Sequence, residues 1–392
     1  MKFRSFVVSA AAVLCLGAWG GAAVAEPIKV GMALDMSGPF SANGAEAKDA
    51  FNLAIKMLGN KLGGFPAEFL QTDMTGNPDQ ARQLVNRWIQ RDQIDFFTGP
   101  ISSNVALAVA PALIAAKVPY LSNNAGPTPL AGEKCSPYYL GTAFENQMLH
   151  EPGGVVANEQ GFKRVVVIAP NYPAGKDAIA GFKRRYKGEI VGEVYTKVGQ
   201  IDYSAEIAQL RADKPQGVYF LLPGAMGINF IKQFVAAGLS KDIKMVTAAP
   251  SADEDMVAAV GDPMLGVFNA SPYIYELDTP ANKKFVAEFR KAYGRNPTFY
   301  AAHAYDVIMN IDAAVRALGG KLDDKAAVAK TLRTVKFDSV RSNFSYNTNN
   351  HPIMDFYTRQ IVRGADGKLT NKSQGLLLEK YQDSFAGECK AI

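Results

Sequence analysis

Short apolar runs alternate with longer amphipathic runs along most of the chain. The short runs predict buried strands, and apolar positions spaced three or four apart predict helices that pack on them. Strands that alternate with helices are typical of a parallel sheet covered by helices, an α/β fold. In the first half the predicted strands are Ile28 to Leu34, Ala67 to Thr72, Ile94 to Thr98 and Val118 to Leu121, and the helices lie near Gly44 to Leu58, Pro78 to Gln90 and Ser103 to Ala116.

The alternation of short apolar and longer amphipathic runs repeats after Gly141. A chain of this length is usually too long to fold around a single hydrophobic core, so the repeated pattern predicts two α/β lobes. Further helical and strand-like stretches close the chain. The predicted strands of this part are Arg164 to Ile168, Ile190 to Tyr195, Gly217 to Leu221, Ile243 to Val246, Met354 to Val362 and Gly375 to Tyr381, and the helices begin near Asn146, Ala174, Ser204, Ala225, Asn282 and Phe299.

The first 25 residues have the pattern of an export signal. Lys2 and Arg4 precede an apolar run, and Ala23-Val24-Ala25 is a small-residue cleavage site. The apolar run is too short and too rich in Ala and Gly for a membrane anchor. We therefore expect residues 1–25 to be a signal peptide that is cleaved after Ala25, leaving an exported, soluble protein of 367 residues.

Charge and candidate chemistry exclude several classes of function. Loss of the signal lowers the formal charge from +5 to +3, and the basic residues are scattered, so nucleic-acid binding is not expected. The three histidines, His150, His303 and His351, form no metal-ligand spacing, and no nucleophile elbow or dinucleotide fingerprint is present. No catalytic residue, metal or cofactor is predicted. An exported α/β enzyme is the alternative from a different functional class.

Two cysteines remain after the expected cleavage, Cys135 and Cys389. An even pair in an oxidising compartment predicts one disulfide. The alternative is two separate thiols.

A turn between a predicted strand and an Ala-rich helix is the strongest candidate site. Gly99 to Asn104 places Ser102 and Ser103 at the start of this helix. The first amides of a helix have no intrahelical partners and lie at the positive end of its dipole, so the turn can bind a carboxylate. The next strand ends in a loop of small polar residues that contains Asn124, Ala125 and Gly126. Two such loops side by side form a crevice, although Ser103 or Asn104 can also act merely as a helix cap.

The mature chain resembles the periplasmic binding proteins of the branched-chain amino acid transporter type. The motifs that carry the resemblance are Ser37-Gly38-Pro39, Asp73 with Pro78, Gly99 to Ser103, the loop from Ser122 to Pro129, and Asn171 to Asp177. The resemblance implies a type I fold with two Rossmann-like lobes and a hinge of three crossovers. It places residues 26–141 and 272–350 in lobe I and residues 142–271 and 351–392 in lobe II.

Position by position, the resemblance implies that Ser103 binds the ligand carboxylate. The family's loop threonine falls on Gly126, which still offers its amide beside Asn123 and Asn124. The acid that holds the ammonium in amino-acid-binding relatives falls near Ala249. An ammonium buried without a counter-charge is costly, so this position disfavours an α-amino acid. A gap in the alignment could instead bring in one acid from Asp253 to Asp255.

Several aromatic residues lie at positions that contact the ligand in binding crevices of this kind. The alternative for each of them is packing in the core or at the hinge. We assign Phe40, Asn43, Phe144, Tyr172 and Tyr273 to the ligand-binding set together with the residues named above. The ligand expected from this set is a carboxylate with an aromatic body, of the benzoate or hydroxycinnamate type. A branched-chain or other amino acid is the alternative.

The resemblance implies a function in capture without chemistry. A monomeric protein of this type closes on its small-molecule ligand by hinge motion and docks on an inner-membrane ABC permease. Docking of the closed form on a membrane sensor is the second possibility within the class. The histidines have no assigned part: His303 is expected to pack on its helix, and His150 and His351 to lie at the hinge or on the surface.

Overall fold

The computed structural model describes residues 26–392. The expected signal peptide, residues 1–25, lies outside this part of the chain. The described residues build an α/β fold with two separate sheets, as the two series of alternating runs predict.

The first sheet contains strands from the N-terminal part of the chain, in the order β2-β3-β1-β4-β5-β6. All neighbours in it are parallel except the short pair β2 and β3. Its strands are β1 (Ile28–Leu34), β2 (Lys61–Leu62), β3 (Phe65–Asp73), β4 (Phe96–Thr98), β5 (Tyr120–Leu121) and β6 (Tyr139–Leu140), and the helices between them are α1 (Ser41–Met57), α2 (Pro78–Arg87), α3 (Ser103–Ala115) and α4 (Thr128–Ala131).

The second sheet begins as a second parallel series, β8-β7-β9-β10-β11, and continues into antiparallel strands from the end of the chain. The series consists of β7 (Arg164–Pro170), β8 (Glu189–Thr196), β9 (Gly217–Phe220), β10 (Lys244–Ala248) and β11 (Phe268–Ser271), with helices α5 (Asn146–Glu159), α6 (Pro173–Arg185), α7 (Ser204–Asp213), α8 (Ala225–Ala236) and α9 (Glu254–Val260). Strand β11 and helix α9 have no counterpart among the predicted elements.

The chain returns to the first sheet after β11. Helices α10 (Pro280–Tyr293) and α11 (Phe299–Ala317) pack on α1, and α12 (Lys325–Thr334) packs on α11. The chain then re-enters the second sheet through β12 (Ser345–Tyr346), β13 (Pro352–Arg363) and β14 (Leu369–Tyr381). Strand β13 pairs antiparallel with β11 and β14, which extends the parallel series.

The central strands fix where a site can form. Nearly every residue of β1, β4, β7 and β9 is buried, because helices cover both faces of each sheet. In open α/β sheets the loops that follow the carboxyl ends of such strands line the binding crevice. The loops after β1, β4, β7, β9 and β10 of this chain supply residues to one cavity.

Candidate ligand-binding site

The turn after β4 forms the first wall of the site. Gly99 has a φ of +93°, and a side chain there would collide with the carbonyl oxygen of Ala33. Asp35, at the end of β1, accepts a hydrogen bond from the Ile101 amide at 2.6 Å. Ser102 is the N-cap of α3 and Ser103 is its first residue, and both are buried. The positive end of α3 therefore meets the crevice at Ser103.

The loop after β5 lies directly against this turn. The Asn124 side-chain amide donates to the Ile101 carbonyl at 2.8 Å. The Ser122 hydroxyl and the Tyr139 hydroxyl both donate to the carbonyl of Ala125, at 2.6 and 2.9 Å. The Asn124 bond holds the two loops side by side, as the sequence predicts for a crevice, and the other two bonds fix the shape of the loop after β5.

Asn146, at the start of α5, connects the expected donors to the opposite wall. Its Oδ1 accepts from the Gly126 amide at 3.2 Å, and its Nδ2 donates to Ser103 Oγ at 3.3 Å. The same Nδ2 donates to Asp177 Oδ2 on α6 at 2.9 Å. Burial raises the pKa of Asp177, while the Asn146 bond opposes the shift. Asn146 and Asp177 were not predicted from the sequence, although Asp177 ends the Asn171 to Asp177 motif.

A narrow cavity of about 30 Å³ lies between these walls. Its polar lining includes the side chains of Ser103, Asn124 and Asn146. Most of the remaining lining is apolar or aromatic: Phe40, Phe144, Leu149, Tyr172, Leu221 and Tyr300. The rings of Phe40 and Tyr172, which follow β1 and β7, approach to 5.8 Å between centroids. The two sheets' loops thus touch across the cavity.

Five residues of the expected ligand-binding set line this cavity, namely Phe40, Ser103, Asn124, Phe144 and Tyr172. Ser102, Ala125 and Gly126 lie in its supporting loops. A side chain at Gly126 would collide with the Phe144 carbonyl oxygen, so this position brings the loop close to the first crossover.

The other three expected residues lie elsewhere. Asn43 is buried in α1, and its Oδ1 has no hydrogen-bond partner within residues 26–392. Ala249 is buried in a 3-10 turn, and the following Pro250 lines the cavity in its place. Tyr273 is buried away from the lining and donates its hydroxyl to Asn282 Oδ1 at 2.9 Å. Tyr273 therefore packs where the chain returns to the first sheet.

The three acids after Ala249, Asp253 to Asp255, lie outside the cavity. Asp253 Oδ1 pairs with Arg359 at 2.8 Å, and its Oδ2 accepts from the Phe299 amide at 2.6 Å. Glu254 accepts from the Asn371 amide at 2.9 Å. Burial raises the pKa of Asp255 to about 6. Within the described chain, none of the three lines the cavity beside Ser103.

His150 differs from the expectation of a hinge or surface residue. It is buried in α5 and lines the cavity. Helix α5 packs on α6 and on strands β10 and β11, so the face that carries His150 points into the molecule. Burial lowers the pKa of the imidazole to about 3, which keeps it neutral. Sequence reasoning could not assign this face, because nearly all of α5 is buried.

The other two histidines are buried as well. His303 packs between the rings of Phe144 and Phe299, in keeping with the packing expected for it. His351 lies against Tyr139 rather than at the surface.

Cys135 and Cys389 form a disulfide with 5.5 Å between their Cα atoms. Cys135 follows α4, and Cys389 lies beyond β14 near the end of the chain. The bond therefore joins the first-sheet part of the molecule to the segment that leaves the second sheet.

The periplasmic binding protein family matches residues 27–368. Leu/Ile/Val-binding protein homolog 6 of Brucella melitensis biotype 1 is 30% identical over 379 residues, which cover 94% of this chain and 96% of that protein. The chain therefore belongs to the periplasmic binding protein family. The family expected from the motifs is confirmed.

Solved structures of ABC transporter solute-binding proteins share the fold. One from R. palustris, in complex with benzoate, has a TM-score of 0.87 at 28% identity and covers 93% of this chain and 100% of its own. Another, from Rhodopseudomonas palustris BisB5 in complex with 3,4-dihydroxy benzoic acid, has a TM-score of 0.85 at 30% identity and covers 91% and 99%. The expected type I fold is confirmed. Among residues 26–392, no helix is both long and apolar enough to cross a bilayer.

Proposed function

We propose that this protein captures a small aromatic carboxylate, of the benzoate or hydroxycinnamate type, and delivers it to an inner-membrane ABC permease. The observation that carries the proposal is the cavity between the two sheets. One of its walls is the positive end of α3 at Ser103, and the rest is mainly apolar and aromatic. A carboxylate with an aromatic body has this same division between one charged end and an apolar remainder.

The polar lining suits a carboxylate in particular. Ser103 Oγ and the side-chain amides of Asn124 and Asn146 are neutral donors beside the helix terminus. A carboxylate bound there gains hydrogen bonds and the favourable field of the helix together. In this structure Asn146 is hydrogen-bonded to Ser103 Oγ and to the Gly126 amide. A bound carboxylate would replace Asn146 as the partner of these two groups.

Two lobes and a closing motion complete the proposal. We assign residues 26–141 and 272–350 to lobe I and residues 142–271 and 351–392 to lobe II. The contact between Phe40 and Tyr172 supports a closed arrangement in which an aromatic ligand would be held against both rings. Opening would separate these rings and admit solvent. The signal-like N-terminus and the family support export to the periplasm, and we propose that the protein acts there as a monomer.

An α-amino acid is the second candidate, because one acid lies near the carboxylate wall. Asp177 Oδ2 is 2.9 Å from the Asn146 amide that also contacts Ser103. A ligand ammonium could use this carboxylate as its counter-charge. The absence of an acid at Ala249 supports the aromatic acid, and Asp177 supports the amino acid. The relatives are divided likewise, since those named above are a Leu/Ile/Val-binding homolog and proteins with bound benzoates.

Calorimetric titration of the mature protein tests the proposal. We expect benzoate, 4-hydroxybenzoate or 4-hydroxycinnamate to bind, and leucine, isoleucine and valine to bind more weakly. Ser103→Ala should weaken binding of the carboxylate about tenfold or more, because a hydrogen bond to a charged group is lost. Ser240→Ala, in the turn before β10, is the matched control.

Two outcomes would count against the proposal. Tight binding of leucine without any response to aromatic acids would assign the cavity to amino acids. Full carboxylate affinity in the Ser103→Ala protein would move the anion site away from α3.

A further inference from the structure

The imidazole of His150 is a polar group in a largely apolar wall of the cavity. Its Nδ1 lies 2.6 Å from the hydroxyl of Tyr219 on β9. The Tyr219 ring is held in place by stacking on Phe182, with 4.1 Å between centroids. A side chain at Gly153 would collide with the same ring, so the helix approaches Tyr219 closely only because residue 153 is glycine. His150 is therefore fixed in orientation.

The bond to Tyr219 also fixes which nitrogen carries the proton. Tyr219 is fully buried, and within the described chain its hydroxyl contacts no acceptor other than His150 Nδ1. Were Nδ1 the donor, the tyrosine proton would be buried without an acceptor, which is the costlier arrangement. The hydroxyl therefore donates to Nδ1. In a neutral imidazole the proton then sits on Nε2, which becomes a hydrogen-bond donor.

His150 lies on the same face of α5 as Asn146, which contacts the carboxylate wall. Asn146 and His150 are four residues apart on α5, and both line the cavity. Side chains with this spacing lie on one helix face, about 5–6 Å apart. Asn146 contacts Ser103, where the carboxylate is proposed to bind. A benzene ring that lies along this helix face with its carboxylate near Asn146 therefore has its para substituent on the side of His150.

We propose that His150 determines specificity by donating a hydrogen bond from Nε2 to an oxygen para to the ligand carboxylate. The inference rests on the proposed function and narrows its ligand to 4-oxygenated benzoates. Tyr219 acts as a positioning residue, because it orients the imidazole and sets its tautomer without reaching the ligand. A ligand without the para oxygen leaves the donor unpaired in an apolar site, which costs affinity.

Calorimetric titration with three acids tests the inference in the intact mature protein. We expect 4-hydroxybenzoate to bind about tenfold more tightly than benzoate, the effect of one neutral hydrogen bond. The isosteric 4-aminobenzoate should bind no more tightly than benzoate, because its amino group is a poor acceptor facing a donor.

Variants of His150 change the donor with little change in shape. His150→Met removes the donor, and the affinity ratio of 4-hydroxybenzoate to benzoate should fall to about one, whatever happens to the absolute affinities. His150→Gln restores an N–H near the position of Nε2 and should recover part of the ratio. Tyr219→Phe leaves His150 present but frees its tautomer, so it should lower the ratio and allow 4-aminobenzoate to gain on benzoate.

The outcomes separate the inference from the proposed function. Failure of all three acids and of 4-hydroxycinnamate to bind the unaltered protein would reject the proposed function. Binding of all three with similar affinity would reject the para-oxygen inference alone. A ratio unchanged in His150→Met would overturn the part assigned to His150, and a ratio unchanged in Tyr219→Phe would overturn the positioning role of Tyr219.

Discussion

Two regions between the sheets differ sharply in how they handle charge. The ligand cavity has a lining of neutral side chains, with Asp177 set behind Asn146. The second region, the acid cluster, consists of Glu46 on α1 with Asp253, Glu254 and Asp255 at the start of α9. Two of its carboxylates pair with arginines: Glu46 with Arg295 at 2.7 Å and Asp253 with Arg359 at 2.8 Å.

The difference assigns the two regions to different tasks. The neutral lining places no like charge in direct contact with an anionic ligand, and Asp177 lies one side chain further away, so the chemistry of the cavity governs recognition. The acid cluster binds the two halves of the molecule to each other, because Asp253 follows β10 and accepts from the Phe299 amide of α11. Its energy depends on burial and protonation. Changes in the cluster should therefore alter stability, and changes in the cavity should alter affinity.

The largest effect expected in the acid cluster is on the pH dependence of stability. Burial raises the pKa of Glu46 to about 8, and the neighbouring Asp255 adds to the shift against the opposing effect of Arg295. An unfolded glutamate titrates near 4.3, so this group favours the folded state most below that pH and loses its contribution as pH rises towards 8. Glu46→Gln removes the titrating group, so the free energy of unfolding should fall less steeply with pH, by up to about 1.4 kcal/mol per pH unit.

Urea unfolding of the wild-type protein and the Glu46→Gln protein from pH 5 to pH 8 measures the difference in slope. Glu288→Gln, at an exposed side chain of α10, is the matched control and should leave the slope as it is in the wild type. Parallel profiles for Glu46→Gln and the wild type would show that the acid cluster does not govern stability in this range.

The second largest effect is expected from the buried ion pair of Asp253. Arg359 and Asp253 are 4% and 2% exposed, so Asp253→Asn leaves a buried guanidinium without its counter-charge. Breaking a buried pair by removing one partner costs about 3–5 kcal/mol. The retained Asn oxygen can still accept from Phe299, which places the expected loss at about 3 kcal/mol.

The free energy of unfolding in urea measures this loss, and calorimetry with a bound acid measures the cavity. Asp262→Asn breaks the exposed pair with Arg363 and is the control, with an expected cost below about 1 kcal/mol. A stability loss no larger than that of the control would remove the distinction between the two regions.

The elements that the sequence predicts correctly are those with a signal in the local pattern of residues. Strands β7 and β9 were predicted because a buried parallel strand is a nearly continuous apolar run, and β1 was predicted although Lys29 interrupts its run; this signal is local. Phe40, Ser103 and Tyr172 were predicted because they follow such strands directly, where parallel sheets form their crevices. Strand β11 was missed, since Phe268–Ser271 is short and contains two polar residues.

Other residues of the site depend on tertiary contacts that no local pattern records. Asn146, His150 and Tyr300 lie in helices α5 and α11, which are buried over most of their length. Periodicity assigns a face only to a helix with an exposed side. Of the acid cluster, the sequence pointed only to Asp253 to Asp255, and only as alternatives to the acid missing near Ala249. The pairing of Asp253 with Arg359, 106 residues further along the chain, is a property of the folded sheet.

The smallest effect, and the sharpest test of the neutral cavity, concerns Asp177. Its carboxylate lies behind Asn146, close enough to repel a ligand carboxylate at Ser103. Asp177→Asn removes this repulsion and should strengthen binding of benzoate about three- to tenfold, or about 1 kcal/mol. An amino-acid ligand would respond in the opposite direction, because its ammonium would lose a counter-charge.

Titration calorimetry of benzoate and leucine against the Asp177→Asn protein makes this comparison. Asp366→Asn, an exposed acid in the turn between β13 and β14, controls for net charge and should change neither affinity. Weaker benzoate binding in Asp177→Asn would mean that this carboxylate supports the cavity as a hydrogen-bond acceptor more than it repels the ligand. Leucine binding that is present in the wild type and lost in Asp177→Asn would instead identify Asp177 as the counter-charge of an amino-acid site.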